Sequence, residues 1–253
     1  MAVYVLHSTC FVGFSMHHDR PTFNTKGLSH ENKAVSLVYH KAAQKVRISS
    51  ILSSSILANE YITNKTFLAR GHLTPDADFP FVSWQYTTYF FLNVCPQWQS
   101  INTGNWKRVE NMVRKLAKEL DDDLTVVTGT HDILELPNRY GVRKQLLLSQ
   151  RGKKFPVPKY IWKFVYSERS KKGIALVVYN NPFDETPDVL CSSVCKSSGW
   201  FSVQWSNIGK GYVECCSYSQ FKQFVWSLPP LPHINGILHG PESKYPTKMR
   251  HEH

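Results

Sequence analysis

RGHLTPDADF at residues 70–79 and NVCPQWQSINTGNWKRVE at residues 93–110 are the two stretches on which the fold turns. The first closes a strand-like run over 67–73. The second leaves another such run, 87–94, and leads into a helix expected over about 103–120. Within that helix Val109, Val113, Leu116 and Leu120 recur at helical spacing and form one apolar stripe facing a core. Beside the stripe stand Asn102, Trp106, Glu110 and Arg114, each four residues from the last, so the row drifts only about 40° per step around the axis. An amide, a carboxylate and a guanidinium therefore share one edge, and a strand-strand-helix frame can set the His72 imidazole across from them.

Further strand-like runs at 3–6, 124–128, 144–148, 160–166 and 174–179, with few long helices between them, predict an α+β fold around a central antiparallel sheet. Residues 31–57 lack Pro and Gly and repeat apolar residues near helical spacing, which predicts that much of this stretch is one helix. The 253 residues suit a single domain over 1–228, with a Cys-rich lobe over about 185–228 and a loose, Pro- and Gly-bearing tail over 229–253. Hydrophobic residues make up 42% and aromatics 13% against 19% charged, enough apolar surface to offset the entropy of ordering a globular chain. No apolar run is long enough to predict a membrane-spanning helix.

The net charge of +11 is concentrated: Arg151, Lys153, Lys154, Lys159, Lys163, Arg169, Lys171 and Lys172 stand against the single acid Glu168. Such a field favours a polyanionic partner, although a solvated basic face has the same composition. Four of the six cysteines, Cys191, Cys195, Cys215 and Cys216, crowd the last quarter. Two bridges between these pairs would staple the lobe and suit an oxidising compartment, as does the glycosylation sequon Asn64-Lys65-Thr66. A zinc site is the rival, with a spacing poor for four converging thiolates. The start of the chain has no basic opening and no clear cleavage site, so no signal peptide is read there, and an upstream leader lost from this chain is the expectation.

Phosphodiester hydrolysis needs a base for water, positive charge to stabilise the developing anion, and basic donors to hold phosphate. The two quoted motifs resemble those of the DNA/RNA non-specific endonucleases of the ββα-metal superfamily. Within these the chain is most similar to the arthropod secreted, double-stranded-RNA-degrading branch, and more distantly to endonuclease G. Thinner similarity runs through VVTGTHDILEL at 126–136, VPKYIWKFVY at 157–166 and NNP at 180–182. The resemblance implies a ββα-metal core over about 67–120 and a Mg²⁺ cofactor, with Mn²⁺ as a substitute. It implies DNA and RNA as substrates, no membrane partner, and a secreted protein, with mitochondrial or nuclear residence as the alternative.

Carried over by position, His72 is implied to be the general base and Asn102 the direct metal ligand. Glu110 is implied to orient the metal's water shell. Arg70, Arg114 and, on a shorter match, Arg20 are implied to hold or orient phosphate, a task that suits a guanidinium fork. Lys153, Lys154, Lys171 and Lys172 are expected to line a nucleic-acid groove. Trp106 is read as packing, Asn93 and Gln97 as braces of the loop, Asp76 and Asp78 as capping or solvated rather than ligating. His17, His18, His131, His233 and His239 fit no ligand spacing. Where the family motif begins with Asp this chain has Ala69, which removes a supporting carboxylate, and Cys95 is expected to pack as a small hydrophobe or pair with Cys10. The alternative function is a nucleic-acid-binding pseudonuclease that keeps the basic surface without turnover; a zinc-stapled interaction module is a third class.

Overall fold

The computed structural model describes residues 1–8, 20–28, 30–150, 153–226, 228–230 and 233–241. In chain order it contains β1 (Ala2–Leu6), α1 (Lys41–Leu52), α2 (Ser55–Tyr61), β2 (Leu68–His72), α3 (Val82–Thr87), β3 (Val94–Trp98), α4 (Gln99–Ile101) and α5 (Lys107–Leu120). There follow β4 (Leu124–Ile133), β5 (Glu135–Pro137), β6 (Arg143–Gln145), β7 (Leu147–Gln150), β8 (Lys153–Pro156), β9 (Pro158–Ser167), β10 (Lys172–Tyr179), β11 (Val213–Cys216) and α6 (Tyr218–Phe224). The centre is a five-stranded antiparallel sheet in the order β1-β4-β9-β10-β11, flanked by helices, which is the α+β architecture expected.

Alternation along β9 divides the core. Ile161 and Val165 join the cluster formed with α5 and the β2–β3 ribbon, while Tyr160, Trp162, Phe164 and Tyr166 face Phe221 of α6 on the other side. Cys215 and Cys216 are adjacent on β11 and so belong to opposite faces. Their partners are Cys195 and Cys191 respectively, and the two bridges fasten the preceding segment to both sides of the sheet edge. Zinc is thereby excluded at these thiols: among the described residues Cys191, Glu214 and Cys216 are the one group of three His, Cys, Asp or Glu side chains close enough to share an ion, and both sulfurs are in a disulfide. Of the segment read as a loose tail, part is docked. Gly173 N donates to Gly236 O, Trp200 Nε1 donates to Leu238 O, and Leu238 is buried; 242–253 lie outside the described residues.

Three local expectations are corrected. The stretch 31–57 is a 3-10 segment His30–Tyr39 followed by α1 and α2, which are separated where Ser53 takes φ 53° and the Ser54 side chain accepts from Leu57 N to cap α2. Serine side chains compete for backbone groups in this way even where no Pro or Gly marks a break. The second strand of the ribbon is β3, Val94–Trp98, and not 87–94. Asn93 spends its side chain on Thr74 N, Thr74 O and Thr88 O, which wraps the preceding residues into a loop. Pro96 is tolerated inside β3 because a two-stranded ribbon has an outer edge that needs no donor. Finally, the helix over 103–120 is regular only from Lys107; Asn102–Trp106 form a wide π turn kinked at Gly104, and Leu120, the last rung of the predicted stripe, is 40% exposed.

Candidate active site

β2 ends on His72, the π turn begins with Asn102, and the first turn of α5 carries Glu110. All three line one polar cavity of about 180 Å³, together with Arg20, Asp76, Thr103, Lys107 and Arg114. The frame inferred from the motifs thus brings Arg20, His72, Asn102, Glu110 and Arg114 to a single place.

The His72 ring lies 5.2 Å from Phe23 and 5.0 Å from Tyr89, centroid to centroid. Burial pulls its pKa from 6.5 to about 4; nearby Asp76 opposes this, while Arg20 and Lys163 add to it. The imidazole is therefore neutral at neutral pH and able to accept a proton. Its Nε2 is buried without a partner and no hydrogen bond holds the ring among the described residues, so Nδ1 is the nitrogen that can meet a water.

Asp76 and Asp78 are braces. Asp76 accepts from Tyr89 Oη at 2.5 Å and stands 3.7 Å from Arg20 Nε; Asp78 accepts from Tyr4 Oη and Arg114 Nη1, each at 2.5 Å. Both are buried rather than solvated, Asp78 under Tyr4 of β1 and Arg114 of α5, and Asp76 against Tyr89. Glu110 differs. It makes no ion pair or hydrogen bond among the described residues, and burial pushes its pKa from 4.5 up to about 7, with Lys163 pulling it down and Asp78 pushing it further up. The donors left open are hard oxygens, the Asn102 amide and the Glu110 carboxylate. That chemistry fits Mg²⁺, which prefers few protein oxygens and keeps most of its waters.

Lys163 is the residue beside the site that composition hid. Counted among the basic cluster of 151–172, it is 1% exposed, in the middle of β9 beneath the site. Its ammonium donates to Leu73 O at 3.0 Å, Thr128 Oγ1 at 2.9 Å and Tyr4 Oη at 3.3 Å, which accounts for all three of its protons. Burial lowers its pKa, and the Glu110 and Asp78 carboxylates counter that. The one available signal was local: a single charge inside the apolar run Tyr160-Ile161-Trp162-Lys163-Phe164-Val165-Tyr166.

Other predicted residues lie elsewhere. The Arg70 guanidinium sits over the rings of Tyr39 at 5.2 Å and of Phe23 and Phe91 at 5.6 Å, with Nε buried and unpartnered, and it does not line the cavity. Its cation-π seat supports the ring that flanks His72, which is a positioning arrangement. Lys171 is paired with Glu168 at 2.5 Å, and Lys172 lines a separate depression with Leu120 and Asp122. Ten residues of α5 separate Leu120 from Glu110, about 15 Å along the axis. Lys154 is exposed on β8 and does not line the cavity; the Lys153 side chain, Arg151, Cys10, His17 and His18 lie outside the described residues. Asn93 braces the loop as expected, whereas Gln97 is buried over Gly71 with neither amide atom partnered, opposite Ala69. Cys95 is a buried free thiol, and Trp106 is buried in the core.

Metal-free protein should lose stability through Glu110 as pH rises. A carboxyl with a raised folded pKa contributes fully below the unfolded value of 4.5 and loses that contribution as pH passes 7. Urea titrations in chelator across this window should show a falling slope that Glu110→Gln flattens. A parent-to-variant difference that stays constant with pH would contradict the assigned burial.

A model of the DNA/RNA non-specific endonuclease family matches residues 6–216. The chain is 33% identical over 223 residues to a salivary endonuclease of Lutzomyia longipalpis, covering 87% of this chain and 52% of that protein. It is 31% identical over 184 residues to the mitochondrial nuclease EXOG of Xenopus laevis, 64% of this chain and 50% of that one. The crystal structure of an EndoG/EndoGI complex aligns with a TM-score of 0.44 at 17% identity, over 73% of this chain and 68% of that chain. The chain spans about half the length of the curated relatives it matches.

Proposed function

Since the chain belongs to the DNA/RNA non-specific endonuclease family, we propose that it is a Mg²⁺-dependent endonuclease that hydrolyses phosphodiester bonds in DNA and RNA, double-stranded RNA included. The observation that carries this reading is the convergence of His72, Asn102, Glu110, Arg20 and Arg114 on one polar cavity. His72 accepts at Nδ1 the proton of the water that attacks phosphorus. The bond to the 3′ oxygen breaks, and that oxygen is protonated from solvent, which leaves a 5′-phosphate and a 3′-hydroxyl. Arg20 and Arg114 hold the phosphate oxygens, and Asp76 and Asp78 aim those two guanidinium groups. Asn102 and Glu110 would hold the cation, which when bound supplies positive charge against the charge developing on the phosphate.

Little base readout is expected, because these side chains address the backbone that every sequence shares. The two disulfides and the salivary relative support a secreted protein; among the described residues no helix is long and apolar enough to cross a membrane. Incubation of plasmid DNA and of long duplex RNA with the protein, with Mg²⁺ and with excess chelator, tests the proposal. Shortened products with Mg²⁺ and none with chelator are expected. Retarded but unshortened nucleic acid in both would establish the binding-only alternative.

A further inference from the structure

Beside the cavity, on the other side of the first turn of α5, lies a groove of about 500 Å³ lined by Ser100, Thr103, Gly104, Arg108, Asn207 and Lys210 with Gly209. Thr103 borders both spaces. Lys107 faces the cavity and Arg108 the groove, as consecutive residues on a helix point about 100° apart. The groove wall is built by a close approach: a Cβ on Gly104 would stand 2.7 Å from Lys210 O, so glycine is required for the π turn to meet the 207–210 turn. Its lining includes no carboxylate, and Arg108 and Lys210 form no ion pair among the described residues.

Part of the segment whose composition advertised polyanion binding is paired with carboxylates or buried. Lys159 pairs with Asp188, Arg169 with Asp122, and Lys171 with Glu168, while Lys163 is buried. Cations already neutralised by neighbours add little to the field a polyanion meets; Arg108 and Lys210 keep theirs.

We propose that this groove is a second phosphate subsite, which takes the phosphodiester backbone next to the scissile phosphate, with Arg108 and Lys210 as its charged contacts and the Asn207 side chain as a neutral donor. The proposal rests on the nuclease reading of the adjoining cavity and extends the substrate track over Thr103.

Fluorescein-labelled 30-base-pair DNA, titrated in chelator at several salt concentrations and followed by anisotropy, tests it without turnover. Arg108→Gln/Lys210→Gln should weaken binding severalfold and reduce the slope of log affinity against log salt by about 2, one for each phosphate no longer neutralised. Lys196→Gln/Lys222→Gln removes the same charge from side chains that lie over Phe201 and Tyr218, and should leave the slope where it was. An unchanged slope in the groove variant, or an equal change in both, overturns the subsite. Failure of the parent protein to bind DNA at any salt defeats the nuclease reading, and the groove with it.

Discussion

His72→Ala should lower turnover on plasmid DNA and duplex RNA by at least about 10²-fold, the usual worth of a positioned base, while binding in chelator stays near that of the parent. The expected size follows from the ring's surroundings. Phe23 and Tyr89 flank it, burial holds its pKa near 4, and no protein group competes for its open nitrogen among the described residues. A neutral ring fixed in this way needs no deprotonation before it accepts the water's proton, and nothing else lining the cavity is a ready substitute: Asp76 is held by Tyr89, and Glu110 is reluctant to ionise. His72→Gln, which keeps much of the side-chain volume, separates loss of the base from loss of packing and should be as slow as the alanine variant. Turnover of either variant at the parent's rate would remove the imidazole from the reaction.

Lys163→Met should cost about 3–5 kcal/mol of stability, the range seen when one partner is removed from a buried set of charges. The ammonium ties Leu73 of the loop after β2, Thr128 of β4 and Tyr4 of β1 to one point, and it faces Glu110 and Asp78. Methionine fills much of the space but leaves the Leu73 carbonyl without its donor and Glu110 without the ammonium that compensates its burial, while Asp78 keeps Arg114. Urea denaturation at pH 8 in chelator measures the loss, because Glu110 is ionised there in larger part. The Lys163→Met/Glu110→Gln double variant should recover part of it, since the two groups are coupled. A single variant within about 0.5 kcal/mol of the parent, the ordinary range for surface changes, would show that the cluster contributes no more than a surface residue.

These two side chains mark the reach and the limit of the sequence. His72 could be placed beside Asn102 and Glu110 because its motif ends a strand and the second motif leads into the helix, although the i,i+4 row itself holds only from Glu110 to Arg114, since Asn102–Trp106 form a π turn kinked at Gly104. Lys163 could not be placed, since nothing within a few residues of it names Tyr4, Thr128 or Leu73 as its acceptors. Arg70 shows the converse: its motif position implied phosphate, yet Tyr39 and Phe91, remote in the chain, form the surface on which its guanidinium rests.

Runs of β-branched and aromatic residues with few long helices between them were enough to read the antiparallel sheet, and helical periodicity to read the buried side of α5, because both depend on neighbours along the chain. Disulfide partnership, the break after Ser53, the shift of the ribbon strand to Val94–Trp98, and the division of the positive charge between paired and open side chains were decided only by the tertiary structure. The reason is physical: desolvation and Coulomb energy depend on what surrounds a group in space. Lys171 is a solvated cation beside Glu168 at one end of the β9–β10 hairpin, whereas Lys163 is buried near Glu110 in the middle of β9.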